Sequence, residues 1–147
     1  MSSKGGEIAE IKKLRAAIES GSRLVALDGL TSVAAKAFVL SQAAVSGGKT
    51  LVVVTDSNAS LEMWESDLRF WLRDKTASIL SLHSFETDVY SGGSPHAETM
   101  ERRALTLWQM TRSQPNVLIV SARSLVSRTD TPEQIGELGA ILKVDED

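Results

Sequence analysis

Leu51-Val52-Val53-Val54-Thr55-Asp56-Ser57-Asn58-Ala59-Ser60-Leu61 is the stretch on which the fold turns. Its first five residues, Leu51–Thr55, make the clearest strand in the sequence. Asp56, Ser57 and Asn58 then offer helix caps, and Leu61, Trp64, Leu68 and Trp71 recur at helical spacing. The same alternation extends both ways along the chain. Upstream, residues 7–20 read as an amphipathic helix, Arg23–Leu27 as a buried strand, and Ser32–Ser46 as a helix stopped by Gly47-Gly48. Downstream, Ser78–Leu82 and Val117–Val120 read as strands. Between them lies a helix from Ala97 to Arg112, with Met100, Ala104, Leu107 and Trp108 facing inward. Ser121–Arg128 predicts a short helix, Thr131-Pro132-Glu133 a capped helix start, and Ile141–Val144 a last strand. Strands alternating with helices predict an α/β domain, a parallel sheet with helices on both faces.

The 147 residues suit one domain and carry a net charge of −3, which excludes a strongly basic nucleic-acid coat. The charge is uneven: +3 over residues 1–50, −1 over 51–128 and −5 over 129–147. Without cysteine there is no disulfide framework, thiolate zinc site or cysteine nucleophile. His83 and His96 need carboxylate help to hold a metal, and no metal site or cofactor is expected. No apolar run reaches the ~18 residues of a membrane span, and no signal-peptide core is visible, so the expectation is a cytoplasmic protein.

In parallel α/β sheets, ligands bind beyond the carboxyl ends of the strands. The first such loop, Asp28 to Lys36, stands where a phosphate loop G-x-x-x-x-G-K-S/T belongs. Counted from Gly29, and past Thr31, the second glycine is Ala34, the lysine is Ala35 and the hydroxyl is Lys36. The groups that would wrap and neutralise a phosphate are missing or displaced. Gly47-Gly48-Lys49-Thr50 spells the tail of the same motif, but lies after a helix and before a strand, the wrong order for a helix N-terminus to face a phosphate. Val144-Asp145-Glu146 has the letters of a magnesium-holding motif on a strand interrupted by Lys143. His83, near Glu86, reads as a polar group on a loop surface; Trp64, Trp71 and Trp108 read as core. Arg69, Arg73, Arg102, Arg103 and Arg123 are the candidate DNA or partner contacts, with nucleic-acid binding no tighter than the nonspecific range of ~10⁻⁴ to 10⁻⁶ M. An active nucleotide hydrolase or helicase domain, and a phosphoacceptor or flavin module built on Asp56, are the competing readings.

Phe85-Glu86-Thr87 with Tyr90, then Ser94-Pro95-His96, then Glu101-Arg102 and Leu105, resemble in order and spacing a W-E-T-x-x-Y, S-P-H, E-R-x-x-x-L segment. It belongs to the N-terminal, UvrB-like module of bacterial transcription-repair coupling factor. Val117–Leu125 is similar to that family's I-V-V-A-S-x-x-A-L turn. Phe85 stands where Trp is usual, and Gly92-Gly93 departs from the pattern. The resemblance implies a three-layer RecA-like (P-loop NTPase-like) domain with a degenerate nucleotide loop. The implied organisation is an N-terminal helix over 1–22, the UvrB-like domain over 23–128, and over 129–147 the start of a UvrA-binding segment, so the chain is expected to be part of a longer protein. The implied role is non-catalytic: helping to recruit UvrA and to regulate a DNA translocase. RNA polymerase would be reached only through other domains.

Overall fold

The computed structural model describes residues 9–43, 48–73, 75–87 and 93–139. Its elements are α1 (Ala9–Glu19), α2 (Val33–Ala43), β1 (Leu51–Thr55), α3 (Asn58–Leu72), β2 (Ile79–Leu82), α4 (Ala97–Arg112), β3 (Val117–Ser121), α5 (Ala122–Val126) and α6 (Pro132–Leu138). The three strands form a parallel sheet in the order β1-β3-β2. Val53 is paired with Ile119 on one side of β3, and Ser81 with Ile119 on the other. The domain is therefore α/β with a parallel sheet, as the alternating pattern predicts.

Because side chains alternate across a strand, the sheet has two distinct faces. On one, Val53, Ile79, Val117 and Ile119 pack with Leu61, Leu68 and Leu72 of α3, and α2 joins this cluster through Ala37. Ser57 starts α3 by accepting a hydrogen bond from the Ser60 amide. The other face carries α4, which lies against β2 and in turn packs on α6. This face is only partly covered, for Val52 and Val54 of β1 remain 49% and 56% exposed. At α6 the expected cap is present in full: Thr131 and Gln134 form a reciprocal capping box, with Pro132 opening the helix. Among the described residues no helix is long and apolar enough to cross a membrane.

Several expectations are corrected. Residues 23–27 form no strand; they run unpaired, with Leu24 88% exposed. A continuous apolar run signals the capacity for burial, not a pairing partner, and here the run is left without ladder hydrogen bonds. Along α4, Met100 and Ala104 are exposed, whereas Arg103 and Thr106 are buried. The reason is that α4 meets backbone carbonyls of β2 and of His83 just beyond it, which need donors rather than methyl groups. Trp71 is exposed at the surface, edge-on to both Phe38 and Phe70, and Trp64 is only partly buried. Gly47, Tyr90, the Ile141–Val144 strand and the Val144-Asp145-Glu146 motif lie outside the described residues.

Candidate functional site

Two places collect the residues singled out by sequence: the carboxyl end of the sheet and the outer edge of β2. At the carboxyl end, the loops after β1 and β2 are tied together. The Asn58 side chain donates to the Ser84 carbonyl at 2.8 Å and accepts from the Ser84 amide at 2.9 Å. The Glu86 carboxylate accepts from the Asn58 amide at 3.1 Å, at the start of α3. Glu86 holds this position with φ = 52°, a left-handed conformation unusual for a residue with a side chain. The amide that a helix would offer an incoming anion is thus occupied by the chain's own carboxylate.

The expected phosphate loop is closed in a similar manner. Asp28 accepts from the Gly29 amide at 2.7 Å, and Ser32 accepts through its hydroxyl from the Ala35 amide at 3.2 Å. Thr31 and Ala34 are exposed, and Lys36 is half-buried on α2. The loop also lacks the strand that would hold it against the sheet, since residues 23–27 are unpaired.

Along the outer edge of β2 the side chains of α3 and α4 meet. Arg69 donates to the Ile79 carbonyl at 3.4 Å, Thr106 to that of Ser81 at 2.9 Å, and Arg103 to that of His83 at 2.8 Å. A cleft of about 610 Å³ opens here, lined by Glu65, Arg69, Ser81, His83, Arg102 and Thr106 among others. Its charges are matched. Arg69 is 2.7 Å from Glu65; Arg102 is 2.7 Å from Glu98 and 3.6 Å from Glu62. Burial opposes the charge on Glu65, but the Ser81 hydroxyl and the Arg69 guanidinium outweigh it and hold the carboxyl below its ordinary value. Burial alone pulls the Arg103 guanidinium below its usual value.

Comparison with protein-family models, curated proteins and solved structures finds no match for this chain.

Of the candidate arginines, then, Arg69 and Arg102 share one cleft, Arg73 sits 4.9 Å over the Phe70 ring, and Arg123 is exposed on α5. Arg103 is corrected: it is buried at 3% exposure rather than presented at the surface, donates to the His83 carbonyl and lies 5.1 Å over the Phe85 ring. His83 is corrected too. It is buried rather than on a loop surface, with neither ring nitrogen hydrogen-bonded, and its Nε2 lies 3.9 Å from Glu62. His96 is exposed at the N-terminus of α4, preceded by Ser94 and Pro95, and makes no side-chain cap. Glu101 and Phe85 line an apolar groove of about 930 Å³ between α4 and α6. Among the described residues no cluster of three metal-ligating side chains occurs. Sequence reading missed Glu65 and the Asn58–Ser84 pairing. The four-residue spacing of Glu65 and Arg69 was a usable signal for the first, whereas the second joins positions 26 apart and has no local signature.

Proposed function

We propose that this chain is a RecA-like domain without nucleotide chemistry, acting as a scaffold and interaction surface in a transcription-coupled repair factor. The observation that supports the reading is the self-occupation of the starts of α2 and α3, by Ser32 before α2 and by Ser57 and Glu86 before α3, with Asp28 holding the Gly29 amide in the loop that leads to α2. Ala34 and Ala35 leave no glycine or ammonium to replace them. A parallel sheet flanked by helices persists without the groups that would bind a triphosphate. On the motif resemblance, the partner is UvrA, and the wider role is to help restrain the DNA translocase of which the module would be part. Direct DNA binding is weak, because Arg69 and Arg102 are already matched by carboxylates.

Titration calorimetry with ATP and magnesium tests the reading. The expected result is no saturable heat into the millimolar range, and Lys36→Ala behaves like the parent chain. Micromolar binding that Lys36→Ala abolishes would replace the scaffold with an active nucleotide-binding domain. Retention of the chain on immobilised UvrA tests the partner separately.

A further inference from the structure

The two free edges of the sheet are treated unlike each other. At β2 the outward carbonyls of Ile79 and Ser81, and that of His83 next along the chain, each receive a side-chain donor. At β1 the amide of Leu51 points to the Asn116 carbonyl on the β3 side, so Val52 and Val54 direct their backbone groups outward. Among the described residues no strand pairs with that edge. An unpaired edge beside two half-exposed valines is the arrangement proteins ordinarily cover.

The chain holds a segment of matching character. Arg23-Leu24-Val25-Ala26-Leu27 is apolar and unpaired, with Leu24, Val25 and Leu27 at 88%, 38% and 48% exposure. It lies between Gly21 and Gly29, both in left-handed backbone with φ of 77° and 79°. Topology says which edge it fits. The connection from β1 through α3 to β2 runs over the face that carries α3, toward β2. Since α2 packs on that same face, a strand feeding α2 and then β1 with the same handedness must start beyond β1, on its free side. The five residues from Asp28 to Ser32 are an ordinary strand-to-helix connection.

We propose that residues 23–27 close onto the free edge of β1 as a fourth, parallel strand, in the order 23–27, β1, β3, β2. Closure brings the Asp28–Ser32 loop to the same end of the sheet as Asp56–Asn58. Release leaves the outward backbone groups of Val52 and Val54 open to a strand from another chain.

Hydrogen exchange of the full chain, read amide by amide, tests this. The amides of Val52 and Val54 are expected to exchange at least about a hundredfold more slowly than unstructured amides. In the double variant Val25→Pro/Ala26→Pro they are expected to approach the unstructured rate, while Ile119 in the central strand stays protected as the fold control. Rapid exchange at both valines in the parent chain would overturn the proposal. So would protection that survives the prolines, or that rises with protein concentration as pairing between two copies requires. Because the chain has no cysteine, a second measurement does not depend on the prolines. Cysteines at 24 or 25, combined with cysteines at 52 or 54, are expected to yield at least one pair that oxidises to an intramolecular disulfide. Failure of all four would overturn the proposal equally.

Discussion

At its two edges the same sheet follows opposite strategies. The β2 edge is closed by three side chains from two helices, and closing it draws a charged residue, Arg103, into the interior. Among the described residues no strand pairs with the β1 edge, and Val52 and Val54 are half-exposed there. The contrast teaches that an edge can be finished by side chains only when helices flank it. The cleft at β2 has α3 on one side and α4 on the other, and it is β2 that α4 mainly packs against in the sheet.

Substitutions at the two edges put this contrast at risk. The largest effect is expected from Arg103→Ala, which leaves the His83 carbonyl without its donor and empties the space of a buried side chain. A loss of about 2–3 kcal/mol is expected in denaturant unfolding. Thr106→Val keeps the shape but removes the donor to Ser81, and should lose about 1–2 kcal/mol by the same measurement. If it proved silent, the sealed edge would be no better finished than the open one.

Acid sharpens the comparison further. The Glu65 carboxyl is held below its ordinary value of 4.5, so it binds fewer protons in the folded chain than in the unfolded one. Its contribution is complete above that value and disappears as pH falls through the folded one. With Arg69 partly solvated the contribution is expected to stay below about 1 kcal/mol. Glu65→Gln should flatten this acid limb in melts recorded between about pH 5 and 3. The smallest effect belongs to the open edge: Val54→Thr is expected to change stability by less than about 0.5 kcal/mol.

What the sequence disclosed follows from the range of each interaction. Strands β1, β2 and β3 are legible because each is a short, mostly apolar run bounded by polar residues, and Thr131-Pro132-Glu133 announces α6 locally. Arg103 and Thr106 were not legible as interior residues, since the carbonyls that draw them in lie 20 and 25 positions away. His83 is hidden from the sequence for a related reason: a polar residue after a strand looks like loop until α3 and α4 are placed beside it. At the candidate site, the absence of glycine and lysine at Ala34 and Ala35 was plain from spacing. The tie between Asn58, Ser84 and Glu86 was not, for it depends on two loops meeting across β3.

Gly139 imposes a narrower rule. It follows α6 directly, and a methyl group there would collide with the indole of Trp108. The only residue admitted without moving that ring is the one with no side chain, although the backbone at φ = −95° would suit any other. Position 139 is therefore a keyhole cut by a neighbour’s shape, and even an alanine placed there would force either the indole of Trp108 or the end of α6 to shift.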